Sequence, residues 1–143
     1  MREGKFKLIV VEDNKLDSYI IERVIKGYDP EAEVLVFNQP EKALAYLREE
    51  AAHAGGATVV LLIDIYMPDF DGWQFLEAFE KLPQRTKVSC RLYMLTSSIL
   101  PGDKLKAGKM HGVLDYFNKP LKGSHLKVIF RQDNAGLNVS PAG

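Results

Sequence analysis

The feature that most constrains this chain is a set of short runs in which hydrophobic residues follow one another without polar alternation. Three such runs are Leu8–Val11, Val59–Ile63 and Leu92–Leu95. A strand with one face in water alternates apolar and polar residues, whereas a parallel strand covered on both faces is apolar throughout. These runs therefore predict the central strands of a parallel sheet.

Amphipathic segments separate the predicted strands. The strands are expected at Phe6–Val11, Glu33–Phe37, Thr58–Ile63, Arg91–Leu95 and Val113–Phe117. Between them, apolar residues recur at helical spacing, as Ala43, Leu44 and Leu47 do after Pro40. Five strand–helix units predict an α/β fold with one mostly parallel sheet and helices on both of its faces.

Local signals also predict where individual helices begin and end. The first helix is expected to have Asn14 as its N-cap and to stop at Gly27. Its predicted apolar stripe consists of Leu16, Ile20 and Val24 with the neighbouring Ile21 and Ile25. The other helices are expected around Trp73–Leu82, from Pro101 through Leu105 to Gly112, and after Pro120, with a break of the chain at Gly55–Gly56.

Length and charge exclude several classes of protein. The chain has 143 residues, with 19 basic and 19 acidic side chains. Nucleic acid and anionic lipid attract a basic excess, so neither is an expected partner. No apolar run approaches the ~20 residues of a membrane span, and the start does not resemble a signal peptide. Cys90 is the only cysteine, which excludes an internal disulfide. A soluble, cytoplasmic single domain is expected.

Polar side chains follow four of the predicted strands. Glu12 and Asp13 follow the first strand, Asp64 the third, Thr96 the fourth and Lys119 the fifth. Taken singly, each residue is more typical of a structural role such as a helix cap or a surface lysine. Because ligands of open α/β sheets bind at the carboxyl ends of the strands, their joint occurrence predicts a site at one edge.

The residue types at this edge suit phosphoryl transfer. Clustered carboxylates repel one another unless a cation lies between them, and hard oxygen ligands suit Mg²⁺. Lys119 would supply a positive charge for a phosphoryl oxygen, and Thr96 a hydroxyl close to it. Phosphoryl transfer depends mostly on positioning and charge neutralisation, so Asp64 is a chemically sufficient acceptor.

Four separated motifs resemble the receiver domain of two-component response regulators. They are Val10–Asn14, Asp64–Gly72, Met94–Ser97 and Tyr116–Pro120. The resemblance covers roughly residues 5–132, and the polar segment 133–143 is expected to be a flexible tail. It implies the flavodoxin-like fold, a doubly wound five-stranded parallel sheet in the order 2-1-3-4-5.

The resemblance also implies a Mg²⁺ site and its ligands. Asp64 would accept a phosphoryl group from a histidine kinase or a histidine phosphotransfer protein, and would contribute to the metal site. Asp13 would bind Mg²⁺ directly, Glu12 through water, and Tyr66 through its backbone carbonyl. Glu12 replaces the commoner aspartate, a change that retains water-mediated binding.

The remaining implied roles concern the phosphoryl group and the output. Lys119 would pair with the phosphoryl group, while Thr96 and Tyr116 would form a switch pair that changes the surface shown to a downstream protein. The chain would not be an enzyme beyond its own phosphorylation and dephosphorylation, and no output domain is expected to be attached. We further hypothesise that Tyr66, a bulky residue beside Asp64, shields the phosphoryl group from water.

Alternative functions are weaker. A phosphohydrolase of the haloacid dehalogenase type needs a second acid where the chain has Tyr66, and no segment has the spacing of a phosphate-binding P-loop. A flavin protein would not place acids in its phosphate loop. The alternative left open is a receiver-like docking module that acts without phosphorylation.

Overall fold

The structure, a computed structural model, describes residues 6–49, 58–97, 100–110 and 112–138, with side chains up to residue 131. The strands are β1 (Phe6–Val11), β2 (Glu33–Phe37), β3 (Thr58–Asp64), β4 (Cys90–Thr96) and β5 (Val113–Asn118). The helices are α1 (Lys15–Tyr28), α2 (Pro40–Glu49), α3 (Gly72–Glu80), α4 (Gln84–Val88), α5 (Pro101–Lys109) and α6 (Gly123–Asn138).

The five strands form one parallel sheet in the order β2-β1-β3-β4-β5, which confirms the predicted fold. The strand order reverses after β1, whose neighbours are β2 and β3. In the register of the sheet, Val11 pairs with Ile63 and Asp64 with Leu95. The carboxyl ends of β1, β3 and β4 therefore lie side by side, at the point where open α/β sheets bind ligands.

Successive residues of the central strands enter opposite core layers. One layer contains Ile9 and Ile63 with residues of α2 and α3, and the other contains Val10 and Leu62 with residues of α1 and α6. Each fully buried aliphatic side chain contributes about 1.5–3 kcal/mol to folding. Burial on both faces explains why these strands are apolar throughout.

Helix α1 differs in two respects from the prediction. Asn14 is its N-cap, as predicted, but the helix continues through Gly27 to Tyr28. Leu16 and Ile20, predicted to lie in its apolar stripe, are 66% and 43% exposed. A helix turns about 100° per residue, so both residues lie well away from the buried face, which carries Ile21 and Ile25.

The remaining differences concern short or polar segments. Helix α4 was not predicted, since five residues are too few to show helical periodicity. Leu105 of α5 is exposed, and the residue of that helix that packs against the sheet is Ala107. Helix α6 extends to Asn138 and so includes the first residues of the segment 133–143 that was predicted to be a flexible tail.

The chain break predicted at Gly55–Gly56 lies outside the described residues, as does the segment 139–143. Among the helices of the described ranges, none combines the length and the hydrophobicity needed to cross a membrane.

Candidate functional site

Three carboxylates meet at the carboxyl edge of the sheet. Glu12 and Asp64 are only 1% and 5% exposed, and Asp13 is half-buried. One carboxylate oxygen from each residue lies within 4.8 Å of the other two. The pairing of Val11 with Ile63 places the residues after them at the same level, which brings these acids together across about 50 positions of sequence.

Lys119 faces these acids from the end of β5. Its ammonium Nζ lies 2.5 Å from Glu12 Oε1, 3.1 Å from Asp17 Oδ2 and 3.5 Å from Asp64 Oδ2. Its backbone N–H donates to the carbonyl of Thr96 at 2.7 Å, which continues the pairing of β4 and β5 beyond the strands. One ammonium is therefore shared by three carboxylates.

The buried acids are costly to ionise. Burial raises the pKa of Glu12 to about 7; the Lys119 hydrogen bond opposes this rise and the charge of Asp64 adds to it. Burial also raises the pKa of Asp64, against the charge of Lys119. Burial lowers the pKa of Lys119, but the Glu12 hydrogen bond and the charges of Asp64 and Glu12 outweigh that effect and raise it. The site therefore favours an additional cation.

The chemistry of the donors fits Mg²⁺. This ion is bound in proteins through one or two carboxylates, often with waters and phosphate oxygens completing its shell. Asp13, Asp64 and Glu12 offer such oxygens, and Lys119 alone does not balance their charge. The backbone carbonyl of Tyr66 is expected to be a further ligand. Tyr66 lies next to the Asp64 carboxylate, since its N–H donates to Asp64 Oδ1 at 3.4 Å.

Thr96 and Tyr116 lie on adjacent strands with side chains on the same face. Tyr116 pairs with Met94, two residues before Thr96, and alternate residues of a strand share a face. Thr96 is fully buried. The hydroxyl of Tyr116 is buried and has no hydrogen-bond partner among the described residues. Its pKa is raised, first by burial and then by the charge of Asp103.

Asp71 and Gly72 end the loop that follows Asp64. Asp71 is the N-cap of α3, where its side chain accepts from the Gln74 N–H at 2.9 Å and Gln74 reciprocates. Gly72 packs directly under the site, since a Cβ there would lie 2.8 Å from the carbonyl oxygen of Asp64. A close backbone approach, rather than a special φ angle, therefore requires this glycine.

Several contacts of the site were not predicted. Asn38 Nδ2 donates to the backbone carbonyl of Glu12 at 2.6 Å, and Asp17 joins Lys119. Asp17 lies in the first turn of α1, where an acid is an ordinary feature of helices. The available signal was its place four residues after Asp13, at the same sheet edge.

Helix α5 is tied to the segment after Asp64 by two further unpredicted contacts. The hydroxyl of Tyr66 donates to Asp103 Oδ2, and Lys106 Nζ lies 4.5 Å from the centroid of the Trp73 ring. Asp103 and Lys106 are three residues apart and so share one face of α5. Each contact joins residues more than 30 positions apart, which sequence periodicity does not detect.

Comparison with curated proteins gives distant relatives. The chain is 24% identical over 121 residues to the cyclic di-GMP phosphodiesterase response regulator RpfG of Xanthomonas campestris. The match covers 84% of this chain but 29% of RpfG, so the chain spans less than a third of that relative.

Solved structures share the fold. A response regulator receiver protein from Dyadobacter fermentans has a TM-score of 0.81 at 24% identity, covering 89% of this chain and 96% of its own. The receiver domain of the sensor histidine kinase PA1611 from Pseudomonas aeruginosa, described with a magnesium ion coordinated in its active-site cleft, has a TM-score of 0.70 at 22% identity, covering 91% and 97%.

The family model of the response regulator receiver domain matches residues 8–131, which is most of the chain. The match includes β2 to β5, β1 from Leu8 onward, and the residues gathered at the sheet edge. The chain therefore belongs to the family of response regulator receiver domains.

Proposed function

We propose that the chain accepts a phosphoryl group on Asp64 from a histidine kinase or a histidine phosphotransfer protein, in a Mg²⁺-dependent reaction. The observation that carries this proposal is the setting of Asp64. Its buried carboxylate lies 3.5 Å from the Lys119 ammonium and within 4.8 Å of oxygens of Glu12 and Asp13. Such a site concentrates both signs of charge around one nucleophilic oxygen.

The reaction needs little from the protein beyond positioning and charge. A carboxylate oxygen of Asp64 forms a bond to phosphorus while the P–N bond of the phosphohistidine breaks, and the electron pair of that bond stays on the imidazole. Lys119 is close enough to neutralise an oxygen of the transferred group. Asp13, Asp64, the Tyr66 carbonyl and, through water, Glu12 would hold Mg²⁺, which supplies positive charge for the phosphoryl oxygens.

The proposed output is a change in a protein-binding surface. Thr96 and Tyr116 lie on the same face of adjacent strands. If the Thr96 hydroxyl moves toward the phosphoryl group, it therefore leaves space near the Tyr116 ring. The Tyr116 hydroxyl has no hydrogen bond to give up within the described part of the chain. A downstream protein that recognises α5 and β5 would detect the change.

The relatives support the partners in general terms only. The PA1611 receiver belongs to a sensor histidine kinase, which is the class of donor proposed here. The phosphodiesterase activity named for RpfG is not part of the proposal, because the chain spans 29% of that protein. A cytoplasmic location, expected from the sequence, remains a prediction.

Intact-mass measurement tests the phosphoacceptor proposal. Wild type, Asp64→Asn and the control Asp69→Asn are incubated with Mg²⁺ and acetyl phosphate. Asp69 is an exposed acid in the same loop, so its variant should behave as wild type. We expect wild type and Asp69→Asn to gain one phosphoryl group and Asp64→Asn to gain none. Folded wild type without a gain would contradict the proposal and favour the docking module. An equal gain in Asp64→Asn would contradict the assignment of Asp64 as the acceptor.

A further inference from the structure

Asp17 adds a fourth acid to the site from a different element of the fold. It lies in the first turn of α1, where its N–H donates to Asn14 Oδ1 at 2.8 Å. Its Oδ2 lies 3.1 Å from Lys119 Nζ, and its side chain is 42% exposed. Glu12 and Asp64, the other two partners of Lys119, are buried at the ends of strands.

A pocket of about 310 Å³ opens beside this ion pair. Its polar lining comes from Asp17, Ser97 and Lys119, and apolar residues of α1 and of the segment after Lys119 complete it. An anion that enters the pocket to reach the Lys119 ammonium therefore meets the carboxylate of Asp17 at the same place.

The three ion pairs of Lys119 differ in how easily they open. Glu12 and Asp64 are withdrawn from water, so separating either from the ammonium leaves a buried charge without its partner. The carboxylate of Asp17 is exposed to solvent, so water can replace much of the stabilisation that the Lys119 ammonium gives it. Asp17 is therefore the partner that an incoming anion displaces most readily.

We propose that Asp17 is a positioning residue that holds the Lys119 ammonium before phosphorylation, and that the incoming phosphoryl group displaces it. This inference rests on the proposed function. Asp17 would then lower the affinity of the site for anionic phosphodonors, first by competing for Lys119 and second by repelling negative charge.

The reaction with acetyl phosphate gives the cleanest comparison. An oxygen of Asp64 forms the new P–O bond, the bond between phosphorus and the acetyl oxygen breaks, and its electron pair leaves with acetate. No proton is consumed. At neutral pH acetyl phosphate carries more negative charge than phosphoramidate, so the two donors should respond differently to the charge of Asp17.

Rates of phosphorylation are measured with both donors, at saturating Mg²⁺ and low donor concentration. We expect Asp17→Asn to raise the rate with acetyl phosphate by roughly two- to five-fold, as for an ion pair partly open to water. The gain should be smaller with phosphoramidate. Asp17→Glu keeps the charge and should stay near wild type. Glu22→Gln, which removes a charge from another face of α1, is the matched control.

A readout without metal or donor separates a charge effect from a structural one. With lysine labelled at the side chain, the NMR signals of Lys119 should shift in Asp17→Asn and stay in place in Glu22→Gln. Unchanged signals, an unchanged or slower rate with acetyl phosphate, or equal gains with both donors would each overturn the inference. So would a gain in Asp17→Glu equal to that in Asp17→Asn.

The proposed function and this inference fail in different ways. If wild type gains no phosphoryl group that depends on Asp64, the proposed function fails. If wild type is phosphorylated and Asp17→Asn matches it with both donors, only the role of Asp17 is refuted.

Discussion

Gly72 packs against the backbone of Asp64 and Ile65. Replacing it by alanine should both destabilise the protein and slow the phosphorylation of Asp64. A Cβ at this position would lie 2.8 Å from the carbonyl oxygen of Asp64, 2.8 Å from the Cα of Ile65 and 3.0 Å from the Cε of Met94. The methionine methyl group can move aside, but the first two atoms belong to the backbone. Relief of the contact therefore requires a shift of the loop that follows Asp64.

The expected magnitude follows from two opposing effects. Overpacking of a close-packed site costs about 1–3 kcal/mol. Alanine reduces the freedom of the unfolded chain, which returns about 0.4–1 kcal/mol. The free energy of unfolding of Gly72→Ala should therefore fall by about 1–2 kcal/mol, which lowers the midpoint of urea unfolding by roughly 0.5–1 M.

Gly27→Ala is the matched control. Gly27 lies in the last turn of α1, and an added Cβ there meets nothing within 4 Å. Alanine is preferred over glycine in a helix interior by up to about 1 kcal/mol, so this variant should be more stable than wild type. The two substitutions are chemically identical, which isolates the contact with the backbone of Asp64.

Fluorescence of Trp73, the only tryptophan, follows unfolding in urea, and intact mass follows phosphorylation. Gly72→Ala should unfold at lower urea than wild type and should be phosphorylated more slowly where it is still folded. A stability equal to or above that of wild type would refute the reasoning about close approach. Normal stability together with slow phosphorylation would also refute the overpacking estimate, because that estimate predicts a loss of stability.

Three further predictions concern side chains at or near the site. Tyr66→Ala should shorten the lifetime of the phosphoryl group on Asp64, because it removes a bulky ring that lies two residues after Asp64 and whose hydroxyl donates to Asp103; an unchanged decay rate would exclude shielding. Burial and then the charge of Lys122 lower the pKa of His125, so the unfolded chain takes up its proton first as the pH falls. Stability should therefore decline below the ordinary histidine pKa of about 6.5, and less so in His125→Gln, as measured by urea unfolding at several pH values. Burial raises the pKa of Cys90 to about 11, so a thiol reagent at pH 8 should label it far more slowly than an exposed cysteine introduced as Ser97→Cys; equal rates would contradict the burial.

Much of the fold could be predicted because most of its helices and strands have a recognisable local sequence pattern. The bounds of β1 and β2 agree with the sequence prediction, and the N-cap of α1 is Asn14, as its residue type indicates. Helix α1 shows where such prediction stops. Leu16 and Ile20 have the spacing of a buried stripe, yet both are exposed, since only the packing of α1 on the sheet selects which apolar residues face inward.

The candidate site was likewise predictable only in part. Glu12, Asp13, Asp64, Thr96 and Lys119 were identified because parallel strands end at one edge of a sheet. That argument depends on the parallel direction of the strands, which the hydrophobic pattern predicts, whereas the strand order was implied only by the family resemblance. It places residues at an edge but does not measure a distance between two side chains.

What the amino-acid sequence determined by itself is therefore the set of strands, the parallel sheet and the residues at its carboxyl edge. What only the tertiary structure decided is how those residues are paired. Asp17 shares the ammonium of Lys119, and Tyr66 reaches Asp103, because α1 and α5 pack at particular positions on the sheet. Hydrogen bonds and ion pairs act over a few ångströms, whereas periodicity specifies only the face on which a residue lies.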